Sequence, residues 1–280
     1  MSDVSLESLP PAASPPTHRY LPYLVGGVAA VAVVSWLLNT PEGLMGKADA
    51  IGYAICHRID SHSLHIGNVQ FPLCARCTGI YLGVLLGMVT MLALGRRRAG
   101  GMPRAPIFAA LLGFIGIMGV DGVNSYLTFF PGLPHLYEPN NTLRVITGLL
   151  NGLALAGLMF PVLNQTLWAD WEDKPVLGRW RELLLLVGLA GVIAVLIFTD
   201  QVIFLYPLAL LSVAGVLAIL VALNTTILLI ALKQENKVRT LVGASLPLLA
   251  GFTLAIIEIG AIDWLRFSIF HTWSGLPGLS

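Results

Sequence analysis

The stretch LCARCTGIYLGVLLGMVTMLALGRRR, residues 73–98, decides what kind of fold this chain has. Its apolar centre, residues 79–95, is long enough for a helix that crosses the hydrocarbon core of a bilayer, which takes about 17–25 residues. Two cysteines stand before this centre, and three consecutive arginines follow it. The stretch therefore predicts a membrane-spanning helix with a thiol-bearing end and a cationic end.

The rest of the chain repeats this apolar character. Hydrophobic residues make up 56% and charged residues 11% of the 280 residues, whereas a soluble domain carries about a quarter charged residues. Further windows of spanning length are 21–38, 107–127, 142–163, 183–204, 206–232 and 240–262. We therefore expect an all-α, polytopic transmembrane helix bundle of about seven spans in the cell membrane, with the lipid bilayer as its first partner. The net charge of +1 gives no indication of nucleic-acid binding, so we expect no nucleic-acid partner.

The N-terminus reads differently from the rest. Residues 1–20 are rich in proline and serine and predict a disordered tail. Residues 21–38 are long for a signal-peptide core, and no small-x-small cleavage pattern follows them. We interpret them as a retained anchor helix.

Positive charge predicts the orientation of the bundle. The basic connecting segments are 96–106, 164–182 and 233–239. Residues 128–141 and the turn near 205 contain neither Lys nor Arg. Because basic loops stay in the cytoplasm, the N-terminus is expected inside and the C-terminus outside. Residues 39–78 then form an extracytoplasmic Cys/His loop.

Glycine spacing predicts which helices pack most closely. The regularly spaced glycines are Gly79, Gly83 and Gly87, then Gly113, Gly116, Gly119 and Gly122, then Gly148 and Gly152. Small residues let helix backbones approach each other in lipid, where packing holds helices together. We expect a three-helix, glycine-packed core over residues 79–163 and three further transmembrane helices over 183–262.

The Cys/His loop carries the strongest chemical signal. The sequence LMGKADAIGYAIC, residues 44–56, predicts a short surface helix that ends at Cys56. Cys74 and Cys77 are separated by two residues, a spacing that places both sulfurs on one tetrahedral zinc ion. The remaining nearby donors are Cys56, His57, His62 and His65. Thiolates with imidazoles suit zinc, so we predict an outer-face zinc site.

Two other interpretations remain open. Paired thiols at a helix N-terminus in an oxidising compartment are typical of a thiol–disulfide oxidoreductase, which would use Cys74 and Cys77. The cysteines and histidines could also be unrelated. For the whole chain, a further alternative is a non-enzymatic accessory subunit of a membrane complex, whose glycine-lined helices pack against a membrane-protein partner.

Polar residues of the later spans map to the same outer side. Asp121 and Asn124 lie on one face of the third span, and Arg144, near the start of the fourth, is the expected partner of Asp121. Ionisable groups at membrane depth are costly and often functional. If the site is catalytic, His57 or Asp121 moves protons and Arg144 neutralises an anionic ligand, such as a lipid head group or another small molecule.

Three more acids, Asp200, Glu258 and Asp263, also map to outer helix ends. Their position on the side of the Cys/His loop favours one shared pocket there. Asp200 and Asp263 are themselves interpreted as interfacial turn residues, whereas Glu258 could belong either to the pocket or to the helix end.

The segment CHRIDSHSLHIGNVQFPLCARCTGIYLG, residues 56–83, resembles the signature of bacterial and archaeal membrane proteins known as domain of unknown function 2085. The corresponding motifs here are Cys56-His57, Pro72 to Gly79, Asp121-Gly122, and Asn141, Arg144, Thr147 and Gly148. The resemblance covers about residues 50–160 and implies Cys56, His57, Cys74 and Cys77 as the shared polar set. His57 is therefore a candidate ligand. Because the adjacent residues Cys56 and His57 rarely bind one ion together, His57 could instead be an acid–base group beside the metal.

Overall fold

The structure of the protein is a computed structural model, which describes residues 17–128, 130 and 134–274. These residues form a helical bundle. Its helices are α1 Thr17–Asn39, α2 Gly43–Ile55, α3 Ala75–Ala93, α4 Ala105–Leu127, α5 Asn141–Leu167, α6 Trp180–Phe198, α7 Val202–Ala231 and α8 Leu241–Phe270. All of them except α2 are long and apolar enough to cross a membrane. The predicted class, an all-α multi-pass membrane protein, is confirmed. Of the predicted tail, residues 1–16 lie outside the described residues and residues 17–20 belong to α1.

The last helix extends further than its apolar window indicates. The sequence predicts an end near residue 262, but α8 continues to Phe270. Two charged residues in this extension find partners inside the protein. The indole Nε1 of Trp36 donates to the Asp263 carboxylate at 3.1 Å, and Arg266 Nη1 donates to the Cys56 carbonyl at 2.9 Å.

Short strands, which the sequence did not predict, occur in the connecting segments. A 3₁₀ turn, Asp60–His62, leads into an antiparallel hairpin of β1, Ser63–Ile66, and β2, Val69–Cys74. Gly67 turns this hairpin with φ +59°, a backbone conformation that glycine adopts without strain. At the other end of the bundle, β3, Ala99–Gly101, pairs in parallel with β4, Glu172–Pro175.

The closest helix packing is between α3 and α5, as the glycine spacing predicts. A Cβ on Gly83 would lie 2.3 Å from the Leu149 carbonyl oxygen, and one on Gly152 would lie 2.0 Å from the Ile80 carbonyl oxygen. No side chain fits at such distances. The two backbones are therefore in direct contact.

The glycines of α4 do not follow the prediction. A Cβ on Gly113, Gly116 or Gly119 would have no described atom within 4 Å. Instead α7 approaches α3 closely, because a Cβ on Gly215 would lie 2.0 Å from the Tyr81 carbonyl oxygen. The centre of the bundle is thus the α3–α5 pair, with α4 and α7 packed beside it.

The helix ends form two surfaces. We define the Cys/His face as residues 40–74, 134–140 and 271–274, and the basic face as residues 94–104, 168–179 and 232–240. The three segments of the basic face bind one another through the β3–β4 pair and through the bridge of Trp168 with Val238. The assignment of the basic face to the cytoplasm stays a prediction.

Candidate metal centre and polar pocket

The three cysteines of the chain come together at the Cys/His face. Their sulfur atoms all lie within 4.8 Å of one another. Cys56 follows the last residue of α2, as predicted, Cys74 ends β2 and precedes α3, and Cys77 lies in the first turn of α3. The cluster therefore depends on the relative placement of α2, the hairpin and α3.

Two features fix the end of α2 beside the hairpin. Gly52 lets α2 contact β2, since a Cβ there would lie 1.9 Å from the Pro72 carbonyl oxygen. Arg266 of α8 donates to the carbonyls of Tyr53 and Cys56, which are among the groups that a helix end leaves without an intrahelical partner. Its guanidinium also lies over the Tyr53 ring, 4.0 Å from the centroid.

The thiols differ in how readily they ionise. The backbone N–H of Cys74 donates to the Cys56 sulfur at 3.3 Å. Hydrogen bonds from the thiols of Cys74 and Cys77 hold the pKa of Cys56 well below its ordinary value. The hydrogen bond with Cys56 in turn raises the pKa of Cys74 to about 12. These hydrogen bonds favour a thiolate at Cys56, and a bound cation would favour ionisation of a second thiol.

His57 and His62 lie beside the cluster. The backbone N–H of Ile59 donates to His57 Nδ1 at 3.0 Å, so neutral His57 carries its proton on Nε2. The two imidazole rings are 5.8 Å apart in an edge arrangement. Burial, followed by the positive charge of Arg144, lowers the pKa of His62 to about 4, so His62 is neutral at physiological pH.

A cleft of about 470 Å³ separates these histidines from α4. Its lining consists of His57, Ile59, His62, Arg76, Gly122, Ser125 and Tyr126. The cleft brings an imidazole and a guanidinium to one space. The cleft therefore adjoins His57 and His62, the two histidines beside the cysteines.

Asp121 stands at the centre of a hydrogen-bond network below this cleft. Only 1% of its side chain is exposed, and its Oδ2 accepts from Arg76 at 2.5 and 3.1 Å. Tyr137 Oη donates to the other carboxylate oxygen at 2.8 Å. The predicted pairing of Asp121 with Arg144 is therefore wrong. Arg76 reaches Asp121 because Gly148 brings the start of α3 against α5: a Cβ on Gly148 would lie 2.4 Å from the Arg76 carbonyl oxygen.

Arg144 has a different partner. Its Nη1 donates to Asn141 Oδ1 at 2.7 Å, and the Asn141 amide donates to the Ser63 carbonyl at 3.1 Å. The start of α5 is thereby attached to the hairpin of the Cys/His face. The Arg144 side chain is buried, and its Nε has no hydrogen-bond partner among the described residues.

Several predicted site residues lie elsewhere. His65 makes an exposed contact with Asp60 at 2.9 Å. Glu258 accepts from Asn224 at 2.8 Å, and Asp200 occupies an exposed turn with φ +55°. Asp263 is not a turn residue but a buried residue within α8. The three acids Asp200, Glu258 and Asp263 do not join the pocket around Asp121.

Three residues that contact the candidate site were not singled out from the sequence: Arg76, Tyr137 and Arg266. Arg76 stands between the paired cysteines, which was a usable signal for a role in the site. Arg266 lies four residues after the predicted end of the last span, a position that is typical of an ordinary interfacial charge. Tyr137 carries no signal at all in an isolated sequence.

The fold and the cysteine cluster define a multi-pass membrane protein with clustered thiols at one membrane face. Residues 56–158 match a family described as "Predicted membrane protein (DUF2085)". The chain is 35% identical over 104 residues to an uncharacterized protein of Methanothermobacter thermautotrophicus, covering 37% of this chain and 83% of that protein. It is 29% identical over 123 residues to an uncharacterized protein of Methanocaldococcus jannaschii, covering 44% and 72% respectively. No solved structure matches it. The chain belongs to the DUF2085 family, as its motifs predicted.

Proposed function

We propose that this protein binds one zinc ion through Cys56, Cys74 and Cys77 at the extracytoplasmic membrane face. The observation that supports this most strongly is the convergence of three sulfur atoms within 4.8 Å from three different elements. Tetrahedral zinc with Zn–S bonds of about 2.3 Å needs sulfurs about 3.8 Å apart. The three sulfurs, all within 4.8 Å of one another, lie close to that spacing.

The donor set also fits zinc chemically. Thiolates are soft ligands that favour zinc over magnesium or calcium. Cys56 and Cys74 are buried and Cys77 is half-buried, so the cluster combines a protected position with an accessible side. His57 lies outside the group of ligand atoms within 4.8 Å. Its Nδ1 is occupied by the Ile59 N–H, which leaves Nε2 as the atom that binds the ion or moves a proton.

A bound zinc ion would supply a Lewis acid next to the cleft. Around it, His57 Nε2 would give or take a proton. Arg76 and Arg144 would attract an anionic group, such as the phosphate of a lipid head group. Asp121 was predicted as a catalytic group, but its carboxylate is engaged by Arg76 and Tyr137. We assign it the positioning of Arg76.

The test is the metal content of the purified full chain. Elemental analysis should find about one zinc ion per chain, as a tetrahedral site binds one ion. Cys74→Ser and Cys77→Ser should remove it, and Cys56→Ser should at least weaken it. The matched control is His65→Ala, which changes a histidine of the same loop outside the cluster and should leave the zinc content unchanged. Size-exclusion profiles of the variants would verify that they remain folded.

One alternative has an observation in its favour. Cys74 precedes α3 and Cys77 lies in its first turn, an arrangement in which a C-x-x-C pair is reactive. Protein that is metal-free as isolated, with Cys74 and Cys77 joined in a disulfide, would contradict the zinc proposal. It would favour a thiol–disulfide oxidoreductase instead.

A further inference from the structure

A second cavity lies between α1 and α8, near the Cys/His face. Its volume is about 520 Å³, within the range of small-molecule sites, roughly 300–1,000 Å³. The lining contains no cysteine or histidine, so this cavity is separate from the candidate metal centre. Its aromatic and acidic lining residues are Trp36, Asp263, Trp264, Phe267 and Trp273.

The carboxylate of Asp263 is incompletely satisfied. Only 3% of the residue is exposed. Its Oδ2 accepts from the Trp36 indole at 3.1 Å, whereas its Oδ1 is buried and has no hydrogen-bond partner among the described residues. Arg266, one turn further along α8, directs its guanidinium to Tyr53 and to the end of α2. It forms no salt bridge with Asp263 in the described part of the chain.

This environment selects for a particular ligand chemistry. A buried polar atom without a partner is costly, and a carboxylate at membrane depth more so. A protonated amine supplies both an N–H donor for Oδ1 and the opposite charge. Aromatic faces stabilise a cation further, and two of the rings, Phe267 and Trp273, are in contact with centroids 5.2 Å apart. An anionic ligand would be repelled by the carboxylate.

The rest of the lining is polar at Ser35, Asn39 and Thr40 and apolar elsewhere. Ala32 of α1 and Ile256 and Ile257 of α8 line the cavity further from the Cys/His face. Little of α1 packs inside the protein, since 6% of its spanning window is buried. In a bilayer its exposed side chains would meet the hydrocarbon, where an alkyl chain can lie beside them.

We propose that the α1–α8 cavity binds an amphiphile whose polar end is a protonated primary amine. The ammonium group donates to Asp263 Oδ1 among the aromatic rings, and the alkyl chain follows α1. A lipid with an ethanolamine head group and a non-lipid alkylamine share this chemistry.

The test uses the full chain in phosphatidylcholine nanodiscs, with empty nanodiscs as the partition control. Tryptophan fluorescence reports binding, since three indoles line the cavity. Dodecylammonium should bind at least about tenfold more tightly than dodecanol, which has the same chain and no charge. Equal affinities for the two probes would overturn the proposal, and this comparison needs no variant.

Variants then assign the preference to its residue. Asp263→Asn keeps the size of the side chain and an oxygen for Trp36, but it should abolish the preference for dodecylammonium. Asp200→Asn, in the exposed turn, should retain it. A preference that survives in Asp263→Asn would also overturn the proposal.

A last measurement distinguishes the two sources of the amine. Phosphatidylethanolamine added to the nanodiscs should compete with dodecylammonium if the ligand is a lipid head group. If dodecylammonium binds in wild type and phosphatidylethanolamine does not compete, the site takes a non-lipid alkylamine.

Discussion

Two Arg–Asp pairs at opposite ends of the bundle have opposite surroundings. Beside the Cys/His face, the side chains of Arg76 and Asp121 are 20% and 1% exposed. At the basic face, those of Arg98 and Asp170 are 37% and 51% exposed. Water screens the second pair much more than the first. The comparison of these two pairs teaches that losing a partner is costly where an ion pair is buried and costs little where the pair is exposed.

The two faces also differ in how their connecting segments are held. The basic face has a backbone framework in the β3–β4 pair, and the Asn164 amide adds a hydrogen bond to the Ala99 carbonyl at 2.9 Å. At the Cys/His face, side chains connect the segments to the helices. Asn124 of α4 accepts from the Leu136 N–H at 2.6 Å and donates to the Tyr137 carbonyl at 2.8 Å. The basic face should therefore tolerate the loss of its exposed pair.

The largest expected effect concerns orientation. A reporter that is active only in the cytoplasm should be active when fused after Arg98 and inactive when fused after Gly67, because basic loops remain inside. The outcome is close to all-or-none. The reverse pattern would place the cysteine cluster in the cytoplasm and exchange the assignments of the two faces.

The next effect is on stability. Asp121→Ala leaves Arg76 largely buried without its partner, so the free energy of unfolding should fall by about 3–5 kcal/mol. Denaturant unfolding of the full chain in detergent measures this. Asp170→Ala is the matched control at the basic face. Equal losses for the two substitutions would remove the distinction between the faces.

A double-mutant cycle sharpens the assignment of the partner. Asp121→Asn and Arg76→Gln should be non-additive, with a coupling energy of about 0.5–3 kcal/mol for groups in contact. Asp121→Asn with Arg144→Gln should be closer to additive, because Arg144 bonds to Asn141 instead. A larger coupling with Arg144 than with Arg76 would restore the pairing expected from the sequence.

The smallest effect is expected at the exposed pair. Asp170→Asn should change the free energy of unfolding by less than about 1 kcal/mol, as is usual for solvent-exposed ion pairs. The same unfolding experiment measures it, repeated at low and high salt. A loss above 2 kcal/mol, on the order of a buried pair, would show that this contact is more than a surface contact.

The features that the sequence predicts are those that depend on local composition. Seven spans follow from length and hydropathy, and the glycines of α3 and α5 follow from their spacing. The cysteine cluster follows from the C-x-x-C motif and the one remaining cysteine nearby. In each case neighbouring residues carry the information.

The features that it does not predict depend on how the helices are rotated against each other. Arg76 rather than Arg144 reaches Asp121 because of a backbone contact at Gly148, and no sequence pattern reports that rotation. In the same way, the spacing of the α4 glycines does not show that three of them are exposed and contact no other described helix. Asp263 was interpreted as a turn residue because it follows the predicted end of the last span. Its partner Trp36 is 227 residues away, so no local pattern indicates the contact.

The hydrogen bond from Arg266 to the Cys56 carbonyl joins residues 210 positions apart, which has a consequence for biogenesis. A ribosome adding about 5–20 residues per second needs roughly 10–40 s to pass from one residue to the other. During that time the end of α2 has no guanidinium to cap it, and the cysteines of the cluster emerge before the helix that secures them. Until translation of α8 is complete, the three thiols therefore stand without the contact that holds the end of α2 in place.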